Sequence, residues 1–143
     1  MPGRAYSGSS PGAGTNIFNG SGMDEPLTSI VVVARDGFDN APACLERLFE
    51  ATAMPFRLIY VDGKAPKRTA RAIARLVSTH GGVLIRADRY LRPTDARNLG
   101  LAEVATRYTL FLDNDVMVND RWLAGLVRCA EDTGAAYVSR IIC

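Results

Sequence analysis

The sequence is poor in the residues that disulfide-rich, zinc-binding and membrane-spanning proteins require. It has three cysteines and one histidine in 143 residues. Cys44, Cys129 and Cys143 are far apart and do not form the paired spacing of a zinc site. No apolar run approaches the roughly 20 residues that span a bilayer. An odd number of scattered cysteines is typical of reduced thiols, so we expect a cytoplasmic protein.

The sequence also has little net charge. It carries 17 Lys and Arg against 15 Asp and Glu, a formal charge of +2. Proteins that bind nucleic acid usually show a strong basic excess on one face, so we expect no nucleic-acid partner. One predicted helix, over residues 66–79, does carry a basic face of Lys67, Arg68, Arg71 and Arg75. That face suits phosphates or acidic lipid headgroups, or is simply solvated, so peripheral membrane association stays open.

Two parts of the chain differ in composition. Residues 1–26 are rich in Gly and Ser and lack the apolar content for a core, which predicts a flexible tail. From residue 27 to 143, short β-branched runs alternate with amphipathic helices, the last of which Asp120 is expected to cap. This alternation predicts a single α/β domain with a mostly parallel sheet flanked by helices. The predicted strands cover residues 29–34, 56–61, 83–86, 108–112 and 136–142.

Acidic residues follow three of these strands. Asp36 follows the first strand, Asp62 the second, and Asp113 and Asp115 flank Asn114 after the fourth. Ligands of open parallel sheets bind outside the carboxyl ends of the strands. Two carboxylates one residue apart can bind one Mg²⁺ or Mn²⁺, together with substrate phosphates. The same acids are also common in turns and caps, so the pair alone leaves a structural role open.

Four segments, in their order and spacing, resemble family 2 glycosyltransferases of the GT-A fold. They are residues 28–34, 58–63, 95–100 and 110–115, with the sequences TSIVVVA, LIYVDG, DARNLG and LFLDND. The resemblance covers residues 28–143. It implies a GT-A, Rossmann-like α/β fold, which we expect to be incomplete at the C-terminus of this chain.

The resemblance also implies a function. Such enzymes bind a nucleotide diphosphate sugar through a divalent metal and transfer the sugar to an acceptor, here with inversion of configuration. The expected metal ligands are Asp113 and Asp115, holding Mn²⁺ or Mg²⁺. Asp62 is expected to contact the base and Arg97 to lie near the nucleotide. The whole expected donor pocket is Ala34, Asp36, Asp62, Arg97, Asp113, Asn114 and Asp115.

The sequence departs from the family pattern at two points. Only one acid, Asp62, follows the second strand where two are usual. The family's catalytic base and acceptor-binding segment lie beyond the fifth strand, so we expect the base to be absent from this chain. The donor could be a UDP-, GDP- or dTDP-sugar and the acceptor a glycan, lipid or protein. Homo-oligomer formation also stays open.

The same residues also fit other interpretations. An apolar strand followed by Asp-x-Asp also describes the nucleophile loop of haloacid dehalogenase-type phosphatases, although there it normally follows the first strand. A nucleotide-binding fragment without catalysis is a second alternative, and a nucleic-acid binder built on the basic helix is a third. His80, the only histidine, is expected to end a helix, and Trp122 is expected to pack in the core.

Overall fold

The computed structural model of the protein describes residues 25–34 and 36–138. None of the helices in these ranges is both long and apolar enough to cross a membrane. The elements in chain order are β1 (Thr28–Val33), a short 3₁₀ helix (Phe38–Asn40), α1 (Ala41–Ala51), β2 (Phe56–Gly63), α2 (Lys67–Thr79), β3 (Val83–Ala87), α3 (Pro93–Ala102), β4 (Tyr108–Asp113) and α4 (Trp122–Thr133).

The four strands form one parallel sheet in the order β3-β2-β1-β4. All six residues of β1 are buried. A central strand of a parallel sheet is covered on both faces, which explains why its run from Ile30 to Val33 is continuously apolar rather than alternating. The predicted α/β class with a parallel sheet is therefore confirmed.

Helices cover both faces of this sheet, and each face has its own apolar core. One core joins the sheet to α1, α2 and α4 and includes Ile30, Val32, Leu45, Leu48, Ile73 and Leu123. The other lies under α3 and includes Val31, Val33, Ile59, Val61, Leu91 and Ala96. Successive side chains of a strand point to opposite faces, so β1 contributes to both cores.

Helix α3 packs unusually close to β1 at Gly100. A Cβ atom at this position would lie 2.2 Å from Cγ1 of Val31, which is too short for a real contact. Glycine is therefore required here because it has no side chain. The close packing fixes α3 against the sheet and, with it, the position of Arg97 one turn earlier in the helix.

The C-terminal part of the described chain differs from the sequence-based predictions at two places. Ala136, Tyr137 and Val138 were predicted to begin a fifth strand but are not in a strand, and residues 139–142 lie outside the described residues. The predicted cap of α4 by Asp120 is wrong, because Arg121 occupies that position with a φ of 62° and no side-chain cap bond forms. Asp120 instead pairs with Arg47 of α1 at 2.9 Å, since this cation is within its reach.

The structural roles expected for the single histidine and the single tryptophan are confirmed. His80 follows the last turn of α2, and its ring stacks on Phe49 with 3.5 Å between ring centroids. Trp122 is 7% exposed, and its Nε1 donates a hydrogen bond to Oγ1 of Thr52 at 2.8 Å.

Candidate functional site

The carboxyl ends of β1, β2 and β4 form one continuous edge. The backbone N–H of Ala34 donates to the Val61 carbonyl at 3.2 Å, and that of Asn114 donates to the Val33 carbonyl at 3.0 Å. Strand pairing thus continues just past β1 and β4. Ala34, Asp62 and Asn114 consequently lie side by side at this edge, and all three are buried. We call these three residues the floor.

Asp62 is fully engaged within the protein. Its side chain is 1% exposed, Oδ1 accepts a hydrogen bond from the Ala65 N–H at 2.8 Å, and Oδ2 lies 3.4 Å from Nε of Arg86. Arg86, at the end of β3, also donates from Nη2 to the Ala70 carbonyl in α2 at 3.2 Å. The Asp62 carboxylate therefore fixes the loop between β2 and α2. Within this loop Lys64 has a φ of 72°, which is uncommon for a residue with a side chain.

Tyr60 lies in the same strand as Asp62 and is completely buried. Burial is the largest cause that raises the pKa of Tyr60, and the negative charge of Asp62 raises it further. The nearby side chain of Asn114 acts in the opposite direction, and a smaller contribution from Cys44 raises the pKa again. Tyr60 is therefore a neutral phenol that belongs to the core next to the floor.

Asp113 and Arg97 approach each other from different elements. Asp113 is the last residue of β4, and Arg97 lies in α3. Nη2 of Arg97 is 3.5 Å from Oδ1 of Asp113, and both side chains are partly exposed. The structure thus brings together two residues that the sequence assigned to one pocket.

Asp115 is exposed in the turn after β4. A Cβ atom on Gly37 would be 3.9 Å from the Cβ of Asp115, so the loop after β1 faces this acid. The pKa of the Cys44 thiol in α1 is raised first by burial and then by the charge of Asp115. Asp115 forms no ion pair with any residue in the described part of the chain. Its carboxylate is thus available to a ligand.

Asp36 is exposed beside Gly37 at the end of β1. Asp36, Asp113 and Asp115 form what we call the acidic rim, outside the buried floor. All seven residues of the predicted pocket therefore lie at the carboxyl edge of the sheet. Four of them, namely Arg97 and the acidic rim, are accessible to solvent.

A comparison with protein families decides which class this arrangement belongs to. The family described as Glycosyl transferase family 2 matches residues 29–143. The chain belongs to this family. No curated protein sequence matches the chain. The family match favours a glycosyltransferase over the phosphatase alternative.

Solved structures support the GT-A fold of this family 2 domain. TarS 1-349 of S. aureus has a TM-score of 0.63 and 16% identity, over 74% of this chain and 33% of that chain. Mannosyltransferase PcManGT of Pyrobaculum calidifontis, in complex with GDP-Man and Mn²⁺, has a TM-score of 0.64 and 18% identity, over 76% and 33%. TarS 1-349 of S. aureus in complex with UDP-GlcNAc has a TM-score of 0.64 and 17% identity, over 73% of this chain and 31% of that chain. The family 2 chain thus spans about a third of these chains.

The acidic rim has a ligand set that suits a cation shared with a substrate. Among the described residues, no group of three or more His, Cys, Asp or Glu side chains could hold a metal ion. Mg²⁺ is commonly held by one or two carboxylates together with substrate phosphates and water. Asp113 and Asp115 supply hard oxygen ligands of this kind. They fit a divalent cation whose coordination a bound diphosphate would complete, rather than a cation that protein ligands alone surround.

Two residues at this edge were not selected from the sequence. Arg86 ends the apolar run of β3 and is in register with Asp62, a signal that could be found once parallel pairing was assumed. Tyr90, in the loop after β3, is 59% exposed. This loop packs tightly on β2, because a Cβ atom on Gly63 would be 3.3 Å from the backbone nitrogen of Leu91. Only the folded arrangement shows that an exposed aromatic residue lies here.

Proposed function

We propose that this family 2 domain binds a nucleotide diphosphate sugar at the carboxyl edge of its sheet and forms the donor-binding part of a glycosyltransferase. The observation that carries the proposal is the contrast in exposure between the acidic rim and the floor. Asp115 is exposed without an ion pair among the described residues, while Asp62 beside β1 is buried and paired. The exposed carboxylates are the ones that can act on a ligand.

The roles within the site follow from charge. We propose that Asp113 and Asp115 hold Mn²⁺ or Mg²⁺, which when bound would stabilise the negative charge on the diphosphate leaving group. Arg97, 3.5 Å from Asp113, orients that carboxylate and adds a fixed positive charge beside the same diphosphate. In the transfer, an acceptor oxygen bonds to the anomeric carbon of the sugar, the bond between that carbon and the phosphate oxygen breaks, and the nucleoside diphosphate leaves with the electron pair.

Asp62 acts on the nucleotide base in a less direct way than the family resemblance implies. Both of its oxygens already have partners inside the protein. We propose that Asp62 holds the backbone of Gly63 and Lys64 in the conformation that faces the base. Ala34 and Asn114 complete the surface under the nucleotide. The inverting stereochemistry, the acceptor and the cytoplasmic location stay predictions from the sequence.

The proposal is tested by thermal unfolding of the chain with UDP, GDP and dTDP, each with and without Mn²⁺. A ligand present at a hundred times its dissociation constant adds about 2.7 kcal/mol to the free energy of unfolding. We expect one nucleotide to stabilise the domain and to do so only with Mn²⁺. If none of the three nucleotides raises the melting temperature above that with Mn²⁺ alone, the proposal is wrong.

The same preparation distinguishes an enzyme from a binding fragment. The chain should be incubated with the sugar conjugate of the nucleotide that binds, and the release of free nucleoside diphosphate should be followed. Release that depends on Mn²⁺ supports a transferase domain that also hydrolyses its donor. Binding without release supports a donor-binding part that requires further sequence for catalysis.

A further inference from the structure

The exposed side of α2 carries positive charge that nothing in the described fold uses. Lys67, Arg68, Arg71 and Arg75 are all exposed, and the helix contains no acidic residue. The four cations exceed the formal charge of +2 of the whole chain. We call these four side chains the basic face of α2.

The arginines of the other helices, unlike those of α2, have ion pairs. Each of these helices has one arginine, and each is ion-paired: Arg47 with Asp120, Arg97 with Asp113 and Arg128 with Asp132. No cation of the basic face has an ion pair within the described residues. Among the helices of the described residues, the basic face is thus the one surface whose positive charges remain without an ion pair.

The arrangement of these charges is unfavourable for the helix itself. Lys67 and Arg68 are in the first turn of α2, where no acid accompanies them, and the helix dipole disfavours cations at that end. Lys67, Arg71 and Arg75 follow one another at a spacing of four residues, which places like charges side by side. Helix stability therefore does not explain the basic face.

The geometry indicates a flat, extended partner. At 1.5 Å per residue, the row from Lys67 to Arg75 is about 12 Å long, too long for the single diphosphate of a sugar donor to contact throughout. The opposite side of α2, with Ala70, Ile73 and Val77, is buried against the sheet, so this helix cannot insert an apolar side into lipid. A partner has to be attracted by charge alone, over a surface of closely spaced anions.

We propose that the basic face of α2 docks the domain onto the anionic headgroups of a lipid bilayer. A plane of phosphate groups matches a straight row of cations. No aromatic side chain on α2 is available to stack on bases, as single-stranded nucleic-acid binders commonly require. The inference does not rest on the proposed function, since none of the four residues belongs to the donor site.

The test is cosedimentation of the full chain with vesicles of phosphatidylcholine alone and with vesicles that also contain phosphatidylglycerol. We expect binding only to the anionic vesicles, and release at high salt because screening weakens exposed charges. Each Lys or Arg near an anionic surface contributes about fivefold to the partition coefficient, so Arg71→Gln with Arg75→Gln should lower it about 25-fold. Arg71→Lys with Arg75→Lys should retain binding.

The matched control is Arg107→Gln with Arg128→Gln, which also removes two exposed cations but lies outside the basic face. This double variant should bind as the unaltered chain does. Equal binding to both vesicle types, or an equal loss in the two glutamine variants, would overturn the proposal. Tighter binding of the chain to duplex DNA or single-stranded RNA than to anionic vesicles at the same salt concentration would assign the face to nucleic acid instead. The melting temperature of each variant shows whether it is folded.

Discussion

Asp62 and Asp115 are the same residue type at the same edge of the sheet, yet the fold treats them in opposite ways. Asp62 is 1% exposed and has partners for both oxygens, one in the next loop and one on β3. Asp115 is exposed and has no ion pair within the described residues. An acid at a strand end is thus not by itself a ligand-binding residue. Its exposure and its partners decide whether it holds the fold together or remains available to a ligand.

The largest effect on stability is expected at Asp62. Asp62→Ala removes the buried acceptor of the Ala65 N–H and leaves Arg86 without its partner, so the free energy of unfolding should fall by about 3 kcal/mol. Urea denaturation measures this change. Asp115→Ala, as the matched control, should change stability by less than about 0.5 kcal/mol. Similar losses in both variants would remove the distinction between the two acids.

A second effect concerns the packing that holds α3 against β1. Gly100→Ala places a Cβ atom against the fully buried Val31 and should lower the free energy of unfolding by about 2 kcal/mol. Gly125→Ala in α4 is the control, since no atom lies within 4 Å of its added Cβ. That variant should instead gain about 1 kcal/mol from helix propensity. If denaturation curves show that both variants are destabilised, or that both are stabilised, the result would contradict the structure.

The ion pair between Arg97 and Asp113 should matter little for stability. Both side chains are partly exposed, and such pairs contribute about 1 kcal/mol or less. Arg97→Gln should therefore leave the urea midpoint nearly unchanged, unlike Asp62→Ala. A loss as large as that of Asp62→Ala would place Arg97 with the structural residues rather than with the accessible site.

At neutral pH the smallest effect is expected at Tyr60, whose contribution to stability depends on pH only under alkaline conditions. Its pKa is raised above the ordinary value of 10.0, first by burial and then by Asp62. Below pH 10.0 both the folded and unfolded states hold this proton, and the free energy of unfolding does not depend on it. Above that pH only the unfolded state releases the proton, so stability falls until the pH passes the folded-state pKa. The fall in the free energy of unfolding above pH 10.0 should be smaller in Tyr60→Phe than in the unaltered chain. An equal fall in the two proteins would contradict a raised pKa of Tyr60.

Much of the fold follows from local patterns in the sequence. The run from Ile30 to Val33 predicts a buried parallel strand, and Gly134 ends α4 in the left-handed conformation that glycine permits. The cap of α4 could not be predicted, because Asp120 pairs with Arg47, a residue 73 positions away. Local cap preferences are overridden when a distant charge is within reach.

The site could be located from the sequence but not divided into its two parts. Acids at the ends of predicted strands were enough to predict that the candidate residues meet at one edge of the sheet, because parallel strands place their carboxyl ends together. The burial of Asp62 depends on its register with Arg86 and on the hydrogen bond from Ala65. The pairing with Arg86 is not visible in a sequence motif, because it depends on which strands are neighbours, whereas the hydrogen bond from Ala65 is local to the turn after β2.

The central claim is that the exposed Asp115 carboxylate helps to bind a divalent cation that the bound nucleotide also contacts. Calorimetric titration with the nucleotide that stabilises the domain, in the presence of Mn²⁺, should be compared between the unaltered chain, Asp115→Asn and the exposed control Asp132→Asn. We expect Asp115→Asn to weaken binding at least tenfold, about 1.4 kcal/mol, with an unchanged urea midpoint, and Asp132→Asn to bind normally. Equal affinity for the nucleotide in all three proteins would contradict the account.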